Sequence, residues 1–120
     1  MAEENNNVSV DQKDIDDNKI MGILAYIFFL IPLLAAKESP FARFHTNQAF
    51  LLFITAIAYV IAIWIITIIL ALISPILLLI GTLLYLASIV FFVLAIIGII
   101  NAAKGEMKEL PIIGKYRIIK

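Results

Sequence analysis

No Asp, Glu, Lys, Arg or His occurs between Ile20 and Ala36, nor between Ala49 and Ala103. These two charge-free stretches constrain the chain more than any other feature. A 120-residue chain that is 63% hydrophobic and 15% charged cannot hide so much apolar side chain in a water-soluble core, because small domains keep much of their surface exposed. Lipid is the solvent that accommodates the excess, and α-helices satisfy their backbone polar groups within it.

The spacing predicts three helical spans. Ile20–Ala36 is the first, short and at the lower limit for crossing about 30 Å of hydrocarbon, with Pro32 placed to kink it. Ala49–Ile73 is the second. Ser74-Pro75 breaks the long stretch, and Ile76–Ala103 is the third, ending at the basic and glycine signals of Lys104-Gly105. A single kinked helix from Leu51 to Ile100 would be about 75 Å long, beyond any bilayer, so a tight hairpin at Ser74-Pro75 is the expectation.

The expected fold class is therefore all-α: an integral membrane three-helix bundle over residues 18–120, behind an acidic N-terminal tail. Residues 1–17 are rich in Asn, Asp and Glu and too poor in apolar side chains to offset ordering entropy, so they read as disordered. They do not resemble a secretory signal, which would begin basic. The tail 106–120 interleaves Lys108, Lys115, Arg117 and Lys120 with Met107, Leu110, Ile112, Ile113, Tyr116, Ile118 and Ile119. That pattern suits a headgroup interface, as a topology anchor or as a lipid- or partner-binding segment.

Three spans would put the N-tail, with Lys13 and Lys19, opposite the 37–48 loop and C-tail. The latter carry Lys37, Arg43, Lys104, Lys108, Lys115, Arg117 and Lys120. The positive-inside rule then predicts a multi-pass protein of the cell membrane with its N-terminus outside and its C-terminus cytoplasmic.

Several chemistries are absent from the sequence. With no cysteine, thiol nucleophiles, disulfides and Cys-ligated metals are excluded. A net charge of zero argues against a nucleic-acid partner. Uncharged spans argue against a self-contained proton-coupled transporter, though not against a channel built with partners. His45, the one histidine, lacks companions for a zinc site and has no paired carboxylate or nucleophile in view, so no catalytic, cofactor or metal residue is assigned. It reads as a hydrogen-bonded structural residue at a helix entry, or as a pH-responsive or partner-contacting one.

Two patterns stand out as candidate contact surfaces. Ser74, Gly81, Ser88, Ala95 and Ala102 recur at intervals of seven and form one helical stripe, suited either to packing inside the bundle or to docking a partner or second copy. Thr55, Ala58 and Ala62 form a similar patch in the second span, and Gly22 with Ala25 in the first. Trp64, mid-span, reads as a large packing residue or as a donor to a hydroxyl on another helix. The second pattern is the polar loop Ser39, Pro40, Phe41, Arg43, Phe44, His45, Asn47 and Gln48. Ser39 is an expected N-cap and Pro40 a first helical residue. Phe41, Phe44, Gln48, Leu51 and Leu52 share a face expected to lie in lipid, with Arg43 reaching phosphates.

The segments KESPFARFHTNQAFLLF and NAAKGEMKELPIIGKYRI resemble a family of small prokaryotic membrane proteins similar to the chloroplast inner-envelope import component, the Tic-twenty-like proteins. The resemblance spans roughly residues 18–118. Beyond the loop residues, it rests on Gly105, Glu106, Pro111, Ile113 and Gly114. It implies a polytopic helical membrane protein and, through the chloroplast relative, a translocation component. No biochemical activity comes with it. Two functions stand as expectations: a non-enzymatic scaffold, assembly or accessory subunit acting by helix packing, or a component of a transport or translocation pore. An intramembrane enzyme is not expected. The implied partners are the lipid bilayer and a membrane protein or second copy of the chain.

Overall fold

A computed structural model describes residues 12–119. Most of the segment read as a disordered tail, residues 1–11, and the last residue of the C-tail lie outside it. The described chain runs α1 Gln12–Ile27, α2 Leu30–Ala35, α3 Pro40–Ile73, a single 3-10 turn Pro75–Leu77, α4 Leu78–Ala87 and α5 Ile89–Ala103. No strand occurs among the described residues.

Among the described residues, two helical segments are long and apolar enough to cross a membrane, Pro40–Ile73 and Pro75–Ala103. The three-helix expectation fails at the first apolar run. Ile20–Ala36 is divided between the end of α1 and the whole of α2. Pro32 is responsible: it cannot donate to the Phe28 carbonyl, and its ring crowds that oxygen four residues upstream. The Phe28 carbonyl instead accepts from Ile31 N at 3.1 Å, and the helix breaks at Phe28–Phe29.

The second departure is at the N-terminus. Residues 12–17, read as disordered, are the first turns of α1. Lys13 pairs with Asp17 at 2.8 Å, Gln12 with Asp16 and Asn18 with Asp14, all one turn apart, and Asp14 sits where the helix dipole favours an acid. Tertiary contacts complete the case for a helix. A side chain on Gly105 would meet Ile15 and Lys19, so the start of α1 lies close against the end of α5.

α1 runs parallel to α3 and antiparallel to α5. Asp14 reaches Phe41, Gly22 sits against Phe41, His45 and Ala102, Tyr26 against His45 and Gly98, and Phe29 against Phe50 and Phe53. α2 then returns, so that Leu34–Ser39 and Asp14 and Asn18 line one open cleft. α1, α2, the first turns of α3, the last turns of α5 and residues 106–119 thus form a compact head. The rest of α3, α4 and α5 form a two-helix stalk, and the molecule measures 58 × 25 × 20 Å.

α3 is one unbroken helix of 34 residues, about 51 Å long. Its start needs strong capping, and Ser39 Oγ accepts from Ala42 N at 3.0 Å while Pro40 supplies the fixed φ of a first turn. Asp14 adds a second cap from α1, its Oδ2 accepting from Phe41 N at 3.0 Å.

The α4–α5 junction is a local irregularity. Ser88 N bonds back to Tyr85 O, three residues away rather than four, and Ser88 Oγ bonds the same carbonyl. Across the stalk, Tyr59 Oη donates to Leu84 O at 3.0 Å, and its ring packs against Phe91. Where hydrocarbon offers no water, a side chain from the neighbouring helix serves the backbone at the irregular turn. α5 ends in a Schellman turn: Gly105 N bonds Ala102 O, Glu106 N bonds Asn101 O, and Gly105 takes φ +74°.

Candidate functional site

The first three turns of α3 are polar and buried. His45, Thr46, Asn47 and Gln48 are each at most 1% exposed. Polar side chains in such surroundings must find partners, and these find them on three different parts of the chain.

His45 ties α1 to the start of the tail. Its Nε2 lies 2.8 Å from the Glu106 carbonyl, which can only accept, so Nε2 carries the hydrogen. That leaves Nδ1 to accept from Tyr26 Oη at 2.7 Å. Phe41, Phe44 and Tyr26 pack around the imidazole with their rings edge-on. Both ring nitrogens are used inside the protein, so the imidazole has no vacant position for a metal or for proton transfer to a ligand. Among the described residues no group of three His, Cys, Asp or Glu side chains comes together as a metal site.

Asn47 and Gln48 grip the tail by its backbone. Gln48 Nε2 donates to Gly114 O at 2.9 Å, and its Oε1 accepts from Leu110 N at 2.8 Å. Asn47 Nδ2 donates to Tyr116 O at 2.7 Å, and its Oδ1 accepts from Ile118 N and Ile119 N. A primary amide presents a donor and an acceptor side by side, which suits it to a peptide backbone. The fit is close at Gly114, where an added Cβ would strike Gln48 Oε1 and the Leu110 backbone.

These contacts correct two expectations. The face bearing Phe41, Phe44, Leu51 and Leu52 does not lie in lipid: all four are buried in the head. Arg43, on the other side, donates from its guanidinium to Lys37 O at 3.3 Å. The C-tail, in turn, is not a purely interfacial strip. Leu110 packs into a cluster with Leu52 and Leu94, and Arg117 stacks over the Phe44 ring at 4.8 Å. Ile112, Tyr116 and Ile118 are its exposed large hydrophobic side chains.

The residues singled out in the sequence therefore separate into two places. Ser39, Pro40, Phe41, Arg43, Phe44, His45, Asn47 and Gln48 all belong to the first turns of α3. Ser74, Gly81, Ser88, Ala95 and Ala102 lie along the hairpin turn, α4 and α5, each buried or half-buried. Gly81 faces Thr67, where a Cβ would stand 2.7 Å from Thr67 Oγ1, and Ala102 meets Gly22 of α1. Trp64 points outward and is 63% exposed, so it is not a packing residue of the stalk. Sequence reasoning missed Asp14 and Tyr26. The available signal was the recurrence of Asp14, Asn18 and Gly22 at four-residue intervals, which extends the small patch of the first apolar run back into the acidic segment.

A family model described as the magnetosome magnetite crystal formation protein family, MamF/MmsF, matches residues 17–119. This overturns the Tic-twenty-like resemblance: the SPF-x-RFH-x-NQ segment and the Gly-Glu and Pro-Ile-Ile-Gly tail both lie within that match. No curated protein and no solved structure matches the chain. The match covers both apolar helices and the clamp that joins them to the tail, and the chain belongs to the MamF/MmsF magnetosome magnetite crystal formation protein family.

Proposed function

We propose that this chain is a non-enzymatic accessory protein of a magnetosome membrane, serving magnetite crystal formation by helix packing and contact with a membrane partner or a second copy. The observation that carries the reading is the family match over residues 17–119. The geometry supports the non-enzymatic part. The most polar buried cluster, around His45, Asn47 and Gln48, spends its donors and acceptors on the chain's own backbone and on Tyr26. It has the chemistry of a clamp. The translocation-pore reading rested on the Tic-twenty-like resemblance and loses its support with it.

Expression in a magnetosome-forming cell that lacks its own member of the family tests this reading, with crystal size and number measured by electron microscopy. Restored crystals support it, and unchanged crystals from a correctly inserted protein overturn it. Purification in mild detergent, with the mass of the intact complex determined, tests the partner clause. A heteromeric complex or a closed homo-oligomer supports that clause, and a lone monomer at native abundance overturns it. An activity lost in His45→Ala with the fold intact would overturn the non-enzymatic assignment.

A further inference from the structure

We infer that the α1–α2 hairpin is a re-entrant membrane element: it enters the acyl region of one leaflet and leaves from the same side, so the N-terminal helix and the C-tail share one face of the membrane. The inference goes beyond the family assignment and does not depend on crystal formation.

Depth decides the matter. The apex of the hairpin is Phe28–Phe29, and the Phe29 ring packs against Phe50 and Phe53 of α3 at 5.3 Å each. Gln48 closes the buried polar run His45–Gln48 at the start of α3, and Phe53 lies about 7 Å further along the axis at 1.5 Å per residue. Crossing the hydrocarbon would require about 30 Å. The returning arm ends beside the start of the first, since Asp14 and Asn18 share a cleft with Leu34 and Ser39. The outer side of the hairpin is apolar: Ile27 is 67% exposed, Phe28 50% and Leu34 67%. This surface continues the exposed apolar surface of the stalk, which begins at Phe53 and Ile54. The occupant that covers both is lipid, and an apex some 7 Å deep matches the depth at which interfacial elements bury their apolar faces.

Charge follows the same division. The eight described lysines and arginines all belong to the head, and the far end of the stalk is the uncharged turn at Ser74-Pro75. The positive-inside rule counts these cations and places the head, with α1 and the C-tail, in the cytoplasm. This reverses the N-outside arrangement that three spans would require.

The natural absence of cysteine makes the test direct. Gln12→Cys, Glu38→Cys, Glu109→Cys and Ile76→Cys are each expressed in a bacterial host that has no internal membranes, so that the protein inserts in the cell membrane, and are treated with a membrane-impermeant maleimide, in intact cells and in inside-out vesicles. The expected result is labelling of Gln12, Glu38 and Glu109 positions only in inside-out vesicles, and of the Ile76 position only in intact cells. Labelling of the Gln12 and Glu38 positions from opposite sides would overturn re-entry, and labelling of all three head positions from outside would overturn the orientation. A second measurement tests the occupant. Phe28→Trp in a Trp64→Phe background is reconstituted in phosphatidylcholine–phosphatidylglycerol vesicles carrying brominated acyl chains. Severalfold quenching relative to unbrominated vesicles is expected, and no quenching would show that protein, such as a second copy, covers the hairpin.

Discussion

His45 is buried between three aromatic rings with both nitrogens bonded, and its removal strands a carbonyl and a hydroxyl. Leaving such buried groups unpaired costs about 1–3 kcal/mol each. His45→Ala should therefore lower the thermal midpoint in detergent by several degrees, whereas Tyr26→Phe, which removes only one partner, should cost less. An equal midpoint for His45→Ala and the wild type would refute the clamp. Glycine positions make a similar demand. An added Cβ at Gly98 would overlap the edge of the Tyr26 ring, while one at Gly22 would stand 3.0 Å or more from its neighbours. Gly98→Ala is expected to be the more damaging of the two in the same assay. Ile112 presents the opposite case, a β-branched residue at φ 72° with 88% exposure. Left-handed backbone costs such a residue about 1–2 kcal/mol, which Asn tolerates better. Ile112→Asn should raise the midpoint in detergent, and a fall would mean that the side chain packs against something that outweighs the strain.

The C-tail, as an element, has little regular structure of its own, so its order depends on the amides of Asn47 and Gln48. Gln48→Leu keeps the apolar bulk but abandons Gly114 O and Leu110 N. The tail then gains more from water than from docking, and trypsin should cut at Lys115 and Arg117 faster than in the wild type while the stalk stays intact. Unchanged cleavage would place the grip elsewhere. In the stalk, Tyr59 holds the irregular α4–α5 junction through Leu84 O. Hydrogen bonds between membrane helices average about 0.6 kcal/mol and reach about 2, so Tyr59→Phe should lower the midpoint modestly. Gly81→Leu, which drives a branched side chain into Thr67, should lower it more.

At the scale of the whole molecule, a polar-clamped head carries an apolar two-helix stalk, and the family match spans both. The solvent and the helical class were already legible in the sequence, because an uncharged run as long as Ala49–Ala103 is accommodated by lipid when helices satisfy its backbone polar groups. The sequence also marked the ends of α3: Ser39-Pro40 and Ser74-Pro75 are local signals that act through the backbone of their own residues. The uses of the polar residues were not legible in that way. Asn47 and Gln48 bond partners 62 to 72 residues away, and no local spacing encodes such a pairing. That Ile20–Ala36 bends rather than crosses follows from long-range packing that no local pattern reveals. The composition of that run permits either course, and the choice falls to Pro32 acting on the Phe28 carbonyl and to the packing of Phe29 against Phe50 and Phe53, which holds the returning arm at one depth.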